Sequence, residues 1–208
     1  MKVSTNTEQK KKAAALFKHY TDLVEMTRVL DSDVKLAAQQ CRQNPASPFW
    51  HRTYIRCHSA AVEGVLSLLK NFVPKSADYF GVILTDEDKQ VATELREYIE
   101  NGVPKTRPAF LPFRENVKET FKLFVKAHAT QVTIQFNDAG FQDLCDMAET
   151  RNKLMHPKAP SDLEVSEAAV DTADRGIKWF RSTLEKVLQE CRAKLPYASH
   201  SWQATPAP

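Results

Sequence analysis

Apolar side chains recur every three to four residues along most of the chain, the spacing that lines one face of an α-helix. Ala13, Leu16, Phe17, Tyr20, Leu23, Val24, Leu30, Val34, Ala38 and Cys41 keep this period from about Thr7 to Gln43. They predict one long helix, or two in line with a break at Asp31-Ser32-Asp33. The prolines of Asn44–Pro48 (NPASP) end it, because neither fits a helix interior. A second helix is predicted from Phe49 to about Phe72, with Trp50, Tyr54, Cys57, Ala61, Val65, Leu68 and Phe72 on one stripe and Pro74 as its stop. Its opposite face carries Arg52, Arg56, Ser59, Glu63 and Lys70.

Thr85–Asp88 (TDED) has the form of a capping box and predicts a charged helix to about Asn101, closed by Gly102 and Pro104. The prolines of Val103–Phe113 (VPKTRPAFLPF) predict a loop. A helix over about Arg114–His128 carries Val117, Phe121, Phe124 and Val125, with His128 continuing the stripe as a core histidine. Val132–Phe136 (VTIQF) is a short β-like run, either a strand or an extended linker. A helix over about Asp138–Met155, the connector PKAPSDLEVSE and a last long helix over about Ser166–Leu195 complete the pattern. Residues 199–208 read as a flexible tail. The fold class expected is an all-α bundle of about five to six helices with long N- and C-terminal helices and a possible extended segment at 132–136. It forms a single domain over residues 1–198, with an N-terminal helical extension over about 1–45 and a core over about 49–195.

Composition agrees with helices. Five glycines against eleven prolines are few for a protein built on tight hairpins, whose turns call for positive φ. The four cysteines, Cys41, Cys57, Cys145 and Cys191, are far apart with no C-x-x-C pair, so they read as reduced, mostly packed thiols rather than metal ligands. The N-terminus MKVSTNTEQKKK is lysine-rich with no apolar run behind it, and no segment approaches the ~18 apolar residues of a membrane span. A cytoplasmic location without membrane contact is expected. The net charge of +3 permits an anionic partner but falls short of a dense basic stripe. No glycine-rich phosphate loop, G-x-S-x-G or H-E-x-x-H occurs, which removes the common NTPase, hydrolase and metalloprotease readings.

The chemistry concentrates at Met147–Lys158, MAETRNKLMHPK. On a wheel of about 100° per residue, Phe141, Leu144, Ala148 and Met155 share a narrow arc, and Arg151 and Asn152 flank its centre. An arginine on an inward face demands another subunit, a carboxylate or an anionic ligand, because an unpaired buried charge is costly. Pro157 pushes His156 out of helical geometry, and an imidazole is the side chain suited to giving and taking protons. Arg151 and His156 stand about 140° apart on an ideal helix, so the helix end must turn, or a two-fold dimer must pool residues from two chains.

Arg151-Asn152-Lys153-Leu154-Met155-His156 fits the R-x(4–6)-H motif of the HEPN superfamily (higher eukaryotes and prokaryotes nucleotide-binding domains), and the chain resembles that family. HP closing the motif helix, the SDLEVS connector, the aromatic pair Trp179 and Phe180 on the final helix, and an earlier helix beginning FWHRTYIR add to the likeness. It spans roughly Phe49 to Leu195. The resemblance implies a helical bundle that dimerises through the 138–156 helix and a metal-independent endoribonuclease without a cofactor. It also implies RNA as substrate, and an antitoxin or regulatory protein as a further partner, as in toxin–antitoxin, phage-defence or RNA-processing systems. On carry-over, Arg151 binds the scissile phosphate, His156 acts as general acid or base, and Asn152 orients one of them. The products would carry 2′,3′-cyclic phosphate and 5′-hydroxyl ends.

Other readings stand beside this one. Arg52 and His58 in RTYIRCH fit the same loose spacing. Arg151 and Asn152 also suit a hydrogen-bonded interface with His156 as a simple cap, in a non-catalytic dimerisation, nucleotide-binding or partner-binding module. Glu63 reads as a solvated partner of Arg56 on a shared helical face, or as a side chain lining a groove beside the motif. Lys153, Lys158 and the KTRP segment (Lys105–Pro108) offer a modest basic rim for RNA or an ordinary solvated surface. Lys158 stands where one subgroup of the family carries a modified tyrosine, so that control is not expected here.

Overall fold

The computed structural model describes residues 2–195, with side chains described from residue 7. It is a bundle of six helices, α1 (Lys2–Gln43), α2 (Pro48–Phe80), α3 (Asp86–Thr93), α4 (Phe113–Ala127), α5 (Ala139–Met155) and α6 (Glu167–Arg192), with one small hairpin, β1 (Leu95–Glu100) and β2 (Val103–Pro108). The expected tail at 199–208 lies outside the described residues. Helix α2 is the hub: α1 lies along it, and α3, α4, α5 and α6 all touch it. Leu16, Tyr20 and Leu23 of α1, Leu66 and Leu69 of α2, Phe121 and Phe124 of α4, Phe141 and Leu144 of α5, and Ile177 and Phe180 of α6 share one apolar core. Burying such side chains stabilises the bundle by about 1.5–3 kcal/mol each. Among the described residues no helix is long and apolar enough to cross a membrane.

Helices α5 and α6 follow the sequence pattern closely. Asp138 caps α5 through Gly140 N–H at 2.7 Å, and Ser166 caps α6 through Ala169 N–H at 3.2 Å. Gly176 lets these two helices cross in backbone contact, since a Cβ there would stand 2.4 Å from Leu144 N. The four cysteines are free thiols, and Cys41, Cys145 and Cys191 are buried.

Three expectations need correction, and two alternatives are decided. Helix α1 runs unbroken through Asp31-Ser32-Asp33, where Asp31 pairs with Lys35 one turn on, at 2.9 Å, and with Arg181 of α6 at 2.7 Å. Helix α2 does not stop at Pro74 but continues to Phe80, ending on the left-handed Gly81 (φ 69°). Pro74 is exposed and forfeits one backbone hydrogen bond, while the last turns bury Ser76 and Ala77. The helix expected over 85–101 is two turns long, because the Thr85–Asp88 capping box starts it and Glu94 (φ 55°) ends it. The chain then forms a hairpin through Asn101 (φ 52°) and Gly102 (φ 76°), so half of the expected 103–113 loop is strand. Val132–Phe136 is the extended linker: Val132, Ile134 and Phe136 are half-buried against the core while Thr133 and Gln135 are exposed. It reads as β-like because it alternates, but among the described residues no neighbouring strand pairs with it.

Candidate functional site

The motif residues sit at the C-terminal end of α5, where its inward face meets the first half of α2. Phe141, Leu144 and Ala148 are buried as the wheel requires, whereas Met155 is 49% exposed. Leu154 fills the last inward position instead, and Arg56 Nη2 of α2 donates to its carbonyl at 3.2 Å. That contact occupies one of the carbonyls that every helix end leaves without a partner.

The partner demanded by Arg151 is a carboxylate of the same chain. Its Nη2 donates to Glu63 Oε2 at 3.0 Å and its Nη1 to Asn152 Oδ1 at 3.1 Å. Glu63 is therefore not the partner of Arg56; the two stand seven residues apart on α2 and engage different groups of α5. The pair is part-exposed, with side-chain accessibilities of 28% for Arg151 and 42% for Glu63. The remaining N–H groups of the Arg151 fork have no protein partner among the described residues, and one edge of the guanidinium stays available to an anion.

His156 caps α5. Its backbone (φ −134°, ψ 58°) leaves the helix ahead of Pro157, and its N–H donates to Asn152 O at 3.0 Å. The imidazole is exposed and has no side-chain partner among the described residues. Beyond it, Asp162 Oδ2 accepts from Lys158 N–H at 2.8 Å and Ala159 N–H at 3.1 Å, fixing the connector in a tight turn. Those two hydrogen bonds, then the charges of Lys153 and Lys158, hold the Asp162 carboxyl below the usual range. Lys153 and Lys158 are exposed and flank this turn, while Arg52 Nη1 reaches Leu163 O at 3.3 Å and His51 Nδ1 donates to Val165 O at 2.9 Å, tying the connector to α2. Arg151, Asn152 and Glu63 are thus in contact; His156 is tied to Asn152 through the backbone alone, and among the described residues no hydrogen bond or ion pair links its imidazole to the other three.

The competing pair does not assemble. His58 is buried, donates Nδ1–H to Tyr54 O at 3.0 Å, and burial pushes its pKa down to about 4. Its ring lines a groove of about 460 Å³ between α1, α2 and α6, while Arg52 points to the α5–α6 connector. Ser59, expected on the polar face, is buried, and among the described residues its Oγ has no hydrogen-bond partner. Lys105 and Arg107 belong to the hairpin rather than to a loop.

The polar face expected on the second helix is used for contacts between elements. Arg56, Glu63 and Lys70 recur every seven residues, which returns to nearly the same face of a helix. All three reach across to another element: Arg56 to the Leu154 carbonyl, Glu63 to Arg151, and the buried Lys70 to Glu94 at 2.6 Å. Their spacing marks the shared face, but which group each one meets is set by how the other elements pack on α2.

Among the described residues no three His, Cys, Asp or Glu side chains converge as metal ligands. The fold and site define a mainly helical bundle with an inserted hairpin and a polar cluster at one helix end. Compared with family models, curated proteins and solved structures, the chain matches none of them.

Proposed function

We propose that the chain is a metal-independent endoribonuclease of HEPN type, serving as a toxin, phage-defence or RNA-processing effector. The observation that carries this reading is the end of α5, where a part-buried arginine held by Glu63 and Asn152 stands five residues before an exposed histidine. Arg151 contributes a fixed, permanent positive charge to the scissile phosphate, its phosphate oxygens taking up the open edge of the fork. His156 takes the proton of the ribose 2′-hydroxyl or gives one to the departing 5′-oxygen. The 2′-oxygen bonds to phosphorus as the P–O5′ bond breaks, leaving a 2′,3′-cyclic phosphate and a 5′-hydroxyl. Asn152 and Glu63 are positioning residues that orient Arg151, and Lys153 and Lys158 attract the RNA backbone. A homodimer through the 138–156 helix brings two such ends together.

Incubation of wild type and His156→Ala with total RNA in EDTA tests the reading. Wild type yields fragments with cyclic phosphate and 5′-hydroxyl ends, and the variant yields none at an unchanged melting temperature. Equal cleavage by both proteins sinks the assignment of His156.

A second reading has its own observation: Glu63 already satisfies Arg151 without any ligand. On that reading the chain is a non-catalytic HEPN-like module that binds a partner protein or nucleotide through α5. It predicts no turnover on any RNA, with association loosened by Arg151→Ala.

A further inference from the structure

The hairpin projects almost wholly into solvent, so side-chain contact with the core does not explain its composition. Its register pairs Arg96 with Arg107, Tyr98 with Lys105 and Glu100 with Val103. Opposed residues of an antiparallel pair point to the same side, so Arg96, Tyr98, Glu100, Val103, Lys105 and Arg107 share one face, on which three cations face a single carboxylate. Leu95, Glu97, Ile99, Pro104, Thr106 and Pro108 take the other. Arg96 and Arg107 are directly opposite, an arrangement in which like charges repel and weaken the pairing. Glu100 pairs with Lys105, while Arg96 has no ion-pair partner among the described residues. The Arg107 guanidinium carbon stands 5.6 Å from the Tyr98 ring centroid, which fixes a cation on an aromatic plate. Pro104 and Pro108 remove backbone donors from β2, so that edge does not template another strand.

The hairpin root is also placed. Ala109 N–H donates to Glu94 O at 2.8 Å and closes its base, and Glu94 is held by Lys70 of α2, itself only 4% exposed. Lys70 lies two turns beyond Glu63, the residue that holds Arg151, which is about 10 Å along the same face of α2. The basic face and the α5 cluster thus hang from one stripe of one helix.

Resting on the ribonuclease reading above, we infer that the Arg96, Tyr98, Lys105 and Arg107 face of the 95–108 hairpin is an arm that holds single-stranded RNA beside the α5 site. Two opposed arginines suit successive phosphates of one backbone, and the Tyr98–Arg107 stack supplies a platform for a base without sequence preference. A protein partner fits less well, because the face is narrow and cationic and the β2 edge is blocked by proline.

The test is fluorescence anisotropy with a labelled, mixed-sequence single-stranded oligoribonucleotide in EDTA. The full chain carries His156→Ala to prevent cutting, and cleavage is measured in parallel with His156 intact. Arg96→Gln with Arg107→Gln is expected to weaken binding at least about tenfold near 100 mM salt and to flatten the slope of log K against log salt by about 1.4. Its melting temperature stays unchanged or rises, since a like-charge opposition is relieved. Tyr98→Ala weakens binding about tenfold. Glu97→Gln, on the opposite face, changes binding less than twofold. Binding unaltered in the double variant overturns the arm even where RNA is cut, and no binding by the parent chain overturns it as well. RNA held through these residues but left uncut by the chain with His156 supports the arm and removes the nuclease instead.

Discussion

His128 lies at the centre of an aromatic cluster, stacked on Phe72 at 5.8 Å with Phe124 at 4.4 Å and Phe80 at 5.6 Å. Its Nδ1 is 2.7 Å from Phe124 O and so carries the proton, leaving Nε2 to accept from Ser76 Oγ at 3.1 Å. Burial pushes its pKa down to about 4, as it does for His58, against about 6.5 in an unfolded chain. The unfolded state therefore binds more protons between those values. Stability is whole above pH 6.5 and falls as pH drops toward 4, by at most about 3 kcal/mol for each histidine. Urea unfolding from pH 7.5 to 4 should show this decline, and His128→Gln should remove about half of it. An unchanged slope would mean that His128 is not held neutral. Arg151 behaves differently, since its ion pair is part-exposed and worth about 1 kcal/mol or less. Arg151→Ala should leave the melting temperature within a few degrees of wild type while abolishing RNA cleavage. A collapse of the fold would make Arg151 a structural residue. The sequence made the burial of His128 and the need of Arg151 for a polar partner legible, because His128 continues an apolar stripe and Arg151 interrupts one. What it could not show was the counter-charge, as the α2 register that brings Glu63 to Arg151 is set by tertiary packing.

At the scale of elements, the contact of α5 with α6 is the least tolerant of change. A Cβ on Gly176 would meet Leu144 N at 2.4 Å and Leu144 Cα at 2.6 Å, backbone atoms that move only if the helices separate. Gly176→Ala should therefore cost about 3 kcal/mol or more, despite the better helix propensity of alanine. Thermal melts decide this: a variant as stable as wild type would mean that the helices do not touch there. Helices α4, α5 and α6 were legible because each pairs a continuous apolar stripe with a defined start or stop, Asp138 and Ser166 as caps and Pro157 beyond α5. The hairpin was not. Thr85 and Asp88 announce a helix correctly, and the charged residues after it suit a helical surface as well as a strand. The deciding signal was Asn101-Gly102, which supports a two-residue turn with both residues at positive φ. Taken as a helix end, that dipeptide turned Tyr98 and Ile99 into helical residues. Pro74 misled in the opposite sense, since a proline marks a boundary only where the helix beyond it has nothing to bury.

For the whole molecule, the open question of composition is whether one chain or two make the site. Glu63 meets Arg151 within the chain, so the polar face of α5 does not by itself require a second subunit. What the proposed dimer can use is the outer edge of the same helix, where Asn152, Lys153, Met155 and His156 are exposed. A two-fold axis there would set Met155 against its own copy and place His156 of one chain near Arg151 of the other. Two measurements separate the cases. Met155→Asp buries a charge in such an interface, so it should shift light scattering toward monomer and lower specific activity together. Mixing inactive Arg151→Ala with inactive His156→Ala should then restore about a quarter of wild-type cleavage. Half of randomly exchanged dimers are mixed, and each mixed dimer holds one intact Arg–His pair of two. Activity that stays at zero after subunit exchange would mean that each α5 end works with its own arginine and histidine. In that case the approach of His156 to Arg151 must come from the turn that Pro157 imposes.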